Sequence, residues 1–314
     1  MNTPHASFQC RLPRVRPNQA LFIGLTVVAL LLTGCGADPL RGVNPAAAPT
    51  LLVEAGWKSS WSPDGKRLVY GAGEGDRLEV LDLRTRQKTF LVAKAKDAAW
   101  SPDGRWIAFI REASYNQYLT EEAWVMPAGG GEARRVTVGG FPSWSADGRT
   151  LFVHSRQQGH LLAVHPLESA PQPVIFYTNA PAWYFAVSPD QTRVAFGCRG
   201  QLEIRERATG KAVATWPMPR ERGLLPAWSP DGSWVAFGGF DDSQLGLCLL
   251  EVATGSTRLV RPGHTTLPAW SRDGQWLAFD DRAGARSIWI VGRRYLDELF
   301  KTGSGGVTPN QTIR

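Results

Sequence analysis

The chain has 314 residues, 43% of them hydrophobic and 20% charged, with 33 glycines and 22 prolines, a globular composition with room for one large domain or two average ones. Its formal charge of +7 falls to +4 without residues 1–34, which hold Arg11, Arg14 and Arg16 and no acid, so that 32 basic groups face 28 acidic ones. With that balance and no long basic run, nucleic acid is excluded as an expected partner.

The amino terminus reads as an address. After the three arginines comes Leu21-Phe-Ile-Gly-Leu-Thr-Val-Val-Ala-Leu-Leu-Leu32, an apolar run of twelve residues. Crossing a hydrocarbon core takes about 20 helical residues, so the run fits the central region of a secretory signal peptide. It ends in Leu32-Thr-Gly-Cys35, which resembles a bacterial lipobox. That resemblance implies cleavage before Cys35, acylation of its thiol and an anchor of two or more acyl chains, which holds stably where one does not. Gly36, rather than an aspartate, follows, which in a Gram-negative cell favours the outer membrane. Residues 35–49, rich in proline, glycine and alanine, are expected to be the lipidated cysteine and a flexible linker. Cys198 and Cys248 remain in the mature chain, either bridged or as two buried thiols.

From residue 50 to 292 one phrase recurs six times. It begins as Trp61-Ser-Pro-Asp-Gly, Trp100-Ser-Pro-Asp-Gly, Trp144-Ser-Ala-Asp-Gly, Val187-Ser-Pro-Asp-Gln, Trp228-Ser-Pro-Asp-Gly and Trp270-Ser-Arg-Asp-Gly, at intervals of 39, 44, 43, 41 and 42 residues. In each copy a mostly apolar run such as Trp106-Ile-Ala-Phe-Ile110 follows the turn, as expected of a strand covered on both faces. Second turns, Gly129-Gly-Gly131, Ala208-Thr-Gly210 and Ala253-Thr-Gly255, recur at a fixed offset. A period near 42 with four short strands per unit predicts an all-β, six-bladed β-propeller of four-stranded antiparallel blades. Thr50-Leu-Leu-Val53 stands before the first phrase as Thr89-Phe-Leu-Val92 stands before the second, so residues 50–54 are expected to complete the last blade. Residues 293–314 form a carboxy-terminal tail, with Tyr295–Lys301 patterned for a short amphipathic helix.

These repeats resemble the TolB-like, or PD40, class of WD40-like propellers, over about residues 50–292. The resemblance specifies fold far more than function. The α/β domain that precedes the propeller in TolB has no counterpart in the 14 residues between Cys35 and Thr50, so a Tol-system role does not carry over whole. Peptidases with similar propellers add a hydrolase domain, whereas this chain has no Gly-x-Ser-x-Gly.

Chemistry is sparse. Asp64, Asp103, Asp147, Asp190, Asp231 and Asp273 occupy the repeated turns, where a carboxylate serves as an acceptor for backbone amides. His154, His160 and His165 fall in one blade, with His154 and His160 set to face each other across a hairpin, and His264 lies elsewhere; no metal site and no cofactor is expected. Function is assigned instead to the face that carries the loops between blades and between second and third strands. That face is expected to gather Tyr115, Tyr118, Trp183, Tyr184, Arg220, Arg222, Asp241, Asp242, His264, Asp281 and Arg282, with the longest loops at Arg111–Glu121 and Pro217–Pro226. Aromatics and arginines are enriched at protein contacts. The reading is therefore a monomeric, non-enzymatic lipoprotein that binds an envelope protein or peptide. The alternative is a carbohydrate-binding, hydrolase or lyase protein acting at the axial pocket, where Ser59-Ser60, Ala98-Ala99, Pro142-Ser143 and Pro226-Ala227 offer little polar chemistry.

Overall fold

The computed structural model describes residues 40, 42–73, 76–115, 118–178, 184–198, 201–217, 225–241, 244–282 and 286–302. Of the expected sites, Cys35, Trp183, Arg220, Arg222 and Asp242 lie outside these residues, as do the side chains of Tyr115, Tyr118, Cys198 and Asp241.

Six four-stranded antiparallel sheets make the ring. Blade 1 is β2 (Gly56–Trp61), β3 (Arg67–Ala72), β4 (Arg77–Asp82) and β5 (Lys88–Ala93), ordered from axis to rim. Blades 2 to 5 repeat this order through β6–β9, β10–β13, β14–β17 and β18–β21 (Lys96–Val138, Gly140–Tyr177, Phe185–Pro217 and Ala227–Pro262). Blade 6 holds β22 (Thr265–Trp270), β23 (Trp276–Asp281) and β24 (Ser287–Gly292), and its outer strand is β1 (Thr50–Glu54). The pairing Thr50↔Ile290 through Glu54↔Ser287 closes the ring as the repeat phase predicts, and it covers what would be a bare sheet edge.

The repeated phrase builds each turn by the same hydrogen bonds. In blade 2, Ser101 Oγ donates to Asp103 Oδ1 at 2.6 Å, Asp103 Oδ1 accepts from the Arg105 amide, and Ser101 Oγ accepts from the Trp106 amide. The Ser–Asp bond recurs in all six blades. Gly104 closes the turn at φ 76°, and Gln191 takes the same left-handed position in blade 4 at φ 59°. The hydrogen bond from Ser145 and the Arg149 amide hold the Asp147 carboxyl below its ordinary range, and the bond from Ser188 does the same for Asp190.

Tyr70, Phe109, Phe196, Phe237 and Phe279 end the repeated apolar run, and all are at most 1% exposed. Each contributes about 1.5–3 kcal/mol by leaving water. Between blades, the phrase's tryptophans act as staples: Trp61 Nε1 donates to the Ala269 carbonyl, Trp144 Nε1 to Ala99 and Trp228 Nε1 to Ala186.

Two segments beside the repeats join the propeller body. Leu40 is 1% exposed in the core cluster that includes Leu83 and Val53, and Val43 packs against it, so the described part of the proline-rich stretch is docked rather than free linker. After β24 the chain forms α1 (Arg293–Thr302), whose Tyr295, Leu296, Leu299 and Phe300 pack on the blade 5–6 core around Trp234. Cys248 is fully buried among Ala195 and Phe237.

Candidate functional site: the two faces of the ring

Each innermost strand begins at the face that carries the loops between blades and ends in a Trp-Ser-Pro-Asp-Gly turn at the other. The two faces therefore differ in chemistry.

On the turn face an axial funnel of about 540 Å³ opens. Its walls are Trp61, Trp100, Trp144, Trp228 and Trp270, and turn prolines stand at its rim. Arg272, where four other blades carry proline, reaches across the mouth and donates to the Pro102 carbonyl at 3.1 Å. Lys58 and Arg272 are the ionisable groups in the lining.

Towards the loop-rich end the axial residues are buried, with Asp97, Phe141 and Leu267 at most 8% exposed. Innermost strands carry a bulge three residues before the tryptophan position, with register shifts between Trp57 and Ser60, Lys96 and Ala99, Gly140 and Ser143, and Thr266 and Ala269. The bulge residues Lys58, Asp97, Phe141 and Leu267 take φ values of 44°, 57°, 55° and 53°. Such backbone is costly for residues other than glycine and aims the side chain away from the pleat. Lys58 Nζ meets Asp97 at 3.3 Å and lies 4.9 Å from the Phe141 ring centre, and Phe141 meets Tyr184 edge-on at 4.7 Å. Together with Leu225 and Leu267 they form a plug, ionic on one side and aromatic or aliphatic on the other.

Above this plug two hairpins project. In β7 (Trp106–Tyr115) and β8 (Tyr118–Pro127) the pairing runs for ten residue pairs, and in β19 (Trp234–Asp241) and β20 (Gln244–Glu251) for eight. The corresponding pairing in blade 1 has six. Four additional pairs extend the first hairpin by about 13 Å. The segment read from sequence as the loop Arg111–Glu121 is thus mostly strand, because Ala113↔Thr120 and Ser114↔Leu119 continue the ladder. Its base is braced by ions: Lys96 Nζ lies 2.5 Å from Glu112 and 3.1 Å from Glu121, and Arg156 Nε lies 3.4 Å from Glu121. Burial pulls the Lys96 ammonium down, but its bonds to the two glutamates outweigh this and raise its pKa. Blades 2 and 5 are three steps apart in a ring of six, so the hairpins face each other across the plug.

The described candidates divide. His264 and Arg282 are exposed, and the Arg282 amide donates to the His264 carbonyl at 3.1 Å. Tyr184 is half-buried against Phe141. Asp281 is 7% exposed and bound to Arg261 at 3.1 Å, while that guanidinium stacks 3.8 Å over Trp289, which makes it a brace between strands.

His154 and His160 do not face each other. The register pairs His154 with Leu161 and His160 with Ser155, which puts the two rings on opposite faces of the sheet. His154 is 1% exposed with neither ring nitrogen bonded, and burial pushes its pKa down to about 4. Among the described residues no group of three His, Cys, Asp or Glu side chains is placed to hold a metal.

Sequence reasoning found Tyr184 but missed the other plug residues. Their signal is a column, three residues before each tryptophan position, where Lys58, Asp97, Phe141, Tyr184, Leu225 and Leu267 vary inside a frame that repeats. It also missed Asp280, 1% exposed with neither carboxyl oxygen bonded, which follows Phe279 where blades 1, 4 and 5 carry Gly71, Gly197 and Gly238.

No family model matches the chain, and no curated protein matches it in sequence. Solved structures do match in fold. TolB from Acinetobacter baumannii superposes with a TM-score of 0.51 at 18% identity, over 77% of this chain and 68% of that one. A TolB-type structure from Agrobacterium tumefaciens gives 0.54 at 20% identity, over 76% and 90%. Hydrazine synthase from Kuenenia stuttgartiensis gives 0.56 at 16% identity, over 84% and 83%. At these identities the likeness is one of architecture, shared by proteins of different chemistry. The chain is a six-bladed propeller of the TolB-like fold.

Proposed function

We propose that the chain is a protein-interaction module of the bacterial envelope, anchored through lipid on Cys35, that holds a protein or peptide on its loop-rich face. One observation carries the choice of face: the long hairpins of opposite blades, β7–β8 and β19–β20, flank the plugged end of the channel. Two walls over a firm floor suit an extended segment, and strand-borne hairpins stay in place with less ordering cost than free loops. The residues proposed to meet the partner are Tyr115, Tyr118, Asp241 and Asp242 with the hairpins, and Trp183, Tyr184, Arg220, Arg222, His264 and Arg282.

The axial funnel supports a second reading, a small-ligand or catalytic site. Its volume suits a ligand. Its described lining, with Lys58 and Arg272 as the ionisable groups, lacks the paired acid and base that hydrolysis or elimination requires. Affinity capture from envelope extract separates the two. The mature protein should recover a partner that is lost when residues 113–120 are replaced by an Asn-Gly turn, and equally when Trp183, Arg220 and Arg222 become alanine. Undiminished recovery by both variants would remove the loop-rich face as the site.

A further inference from the structure

The point where the chain enters the propeller restricts how an anchored protein can sit. β1 is the outer strand of blade 6 and runs from the turn face towards the loop-rich face, so the chain arrives at the turn face. The residues before it are fixed there. Leu40 is buried in the core cluster that includes Leu83, the Val43 amide donates to the Leu40 carbonyl at 2.8 Å, and the Pro45 carbonyl accepts from the Tyr295 amide at 3.2 Å. Gly292 permits this docking, since a Cβ there would come within 2.3 Å of the Pro45 oxygen. Among the described residues, docking starts at Leu40, ten residues before β1.

Four residues separate Cys35 from Leu40. Five peptide steps, fully extended, reach at most about 18 Å. Strand β7, ten residues long, rises about 30 Å from the turn face to the end of its hairpin on the loop-rich face. The tether is thus too short for the loop-rich face to meet the bilayer while Leu40 stays docked. A second observation points the same way. Arg84 and Arg86, in the turn that follows Leu83, and Lys88, which opens β5, are all exposed, whereas nearby Asp82 is committed to the Arg84 and Thr85 amides and the Thr85 hydroxyl. Each such cation near an anionic lipid surface adds about 1 kcal/mol of attraction.

We infer that the turn face of the propeller is a membrane-facing surface, seated on anionic lipid beside the Leu40 docking site, with the hairpin face directed away from the bilayer. The inference rests on the lipid anchor proposed above. It also orients the axial funnel, whose mouth opens on the lipid side, and it leaves the hairpin groove free for a partner arriving from the aqueous compartment.

The test uses the full chain, acylated in a bacterial host and reconstituted into vesicles of phosphatidylcholine with or without phosphatidylglycerol, carrying a trace of rhodamine-labelled lipid. In a Cys198→Ser, Cys248→Ala background, a donor dye is placed at Gln87→Cys on the turn face or at Arg282→Cys on the loop-rich face. Energy transfer to the bilayer should be several times greater from position 87, and twenty Gly/Ser residues inserted between Pro39 and Leu40 should narrow the difference. Replacing Arg84, Arg86 and Lys88 by glutamate should narrow it further in vesicles with phosphatidylglycerol and have little effect without it. Equal transfer from the two positions in acylated, vesicle-bound protein overturns the orientation and leaves the anchor standing. A mature protein whose mass shows no acyl chain on Cys35 overturns the anchor, and the orientation with it.

Discussion

Trp61 donates its indole N–H to the carbonyl of Ala269, 208 residues away in sequence, at 3.0 Å. The bond crosses the seam between the first and last blades, the one seam whose partners come from opposite ends of the propeller. Trp61→Phe should lower stability by about 1–3 kcal/mol, because the ring shrinks and a half-buried carbonyl loses its donor. Trp100→Phe is the control, since that indole bonds to Gly104 within its own turn at 3.2 Å. The midpoint of urea unfolding should fall more for Trp61→Phe. Equal shifts would show that the seam has no special role in ring stability.

Asp280 gives a prediction with a definite sign. Burial pushes its carboxyl up to about 8, partly countered by the charges of Arg282 and Arg286. In the unfolded chain the group titrates near 3.8. Between these values the folded state retains a proton that the unfolded state has released, so the wild-type protein loses stability as pH rises from about 4 to 8. Asp280→Asn keeps the shape and cannot ionise. Its melting temperature should match that of wild type near pH 4 and exceed it at pH 8.5, by the equivalent of at least about 1 kcal/mol. A constant difference across that range would contradict the assignment.

His154 acts in the opposite direction. Burial and the nearby charges of Arg156 and His160 push its pKa down to about 4, below the ordinary 6.5. Here the unfolded state takes up the proton first, so stability falls as pH drops from 6.5 towards 4. His154→Leu should remove part of that acid sensitivity while leaving stability at pH 7.5 within about 1 kcal/mol of wild type. Denaturation followed at several pH values checks this.

The turn aspartates are scaffold, and two substitutions test it. Burial raises the Asp231 carboxyl, but bonds from Ser229 and Ser233 and the charge of Arg293 outweigh it and hold the pKa at about 2. Asp231→Ala should cost about 1–2 kcal/mol near neutral pH, a penalty that shrinks as pH falls through 4 towards 2. It should leave partner capture intact. Gln191→Gly should do the reverse, stabilising by about 0.5–1 kcal/mol, because the left-handed φ at that position suits glycine. A destabilised Gln191→Gly would mean that the glutamine side chain contributes something the turn geometry does not explain.

The repeat phrase determined a great deal alone. Ser62, Asp64 and Gly65 and their five counterparts act locally: serine and aspartate bond amides two to five residues away, and glycine, or Gln191 in blade 4, supplies the turn. Interactions so short in sequence are legible there, and their spacing counts the blades. The phase of Thr50–Val53 likewise revealed how the ring closes, because a strand must match the repeat it completes. The functional surfaces were less legible. Lys58, Asp97, Phe141 and Tyr184 meet only because the ring brings the inner strands of different blades to one axis, and no local pattern marks a contact between residues 39 to 83 apart. The height of β7–β8 depends on a ladder that continues through polar residues, which read as loop in one dimension. Asp281 looked like an open acid until the packing of blade 5 on blade 6 set it beside Arg261. Leu40 belonged to an apparent linker until the packing of Pro45 on Gly292 and Tyr295 fixed that stretch to the turn face. Local bonds wrote the fold into the sequence, whereas the faces of the ring arise from contacts between blades.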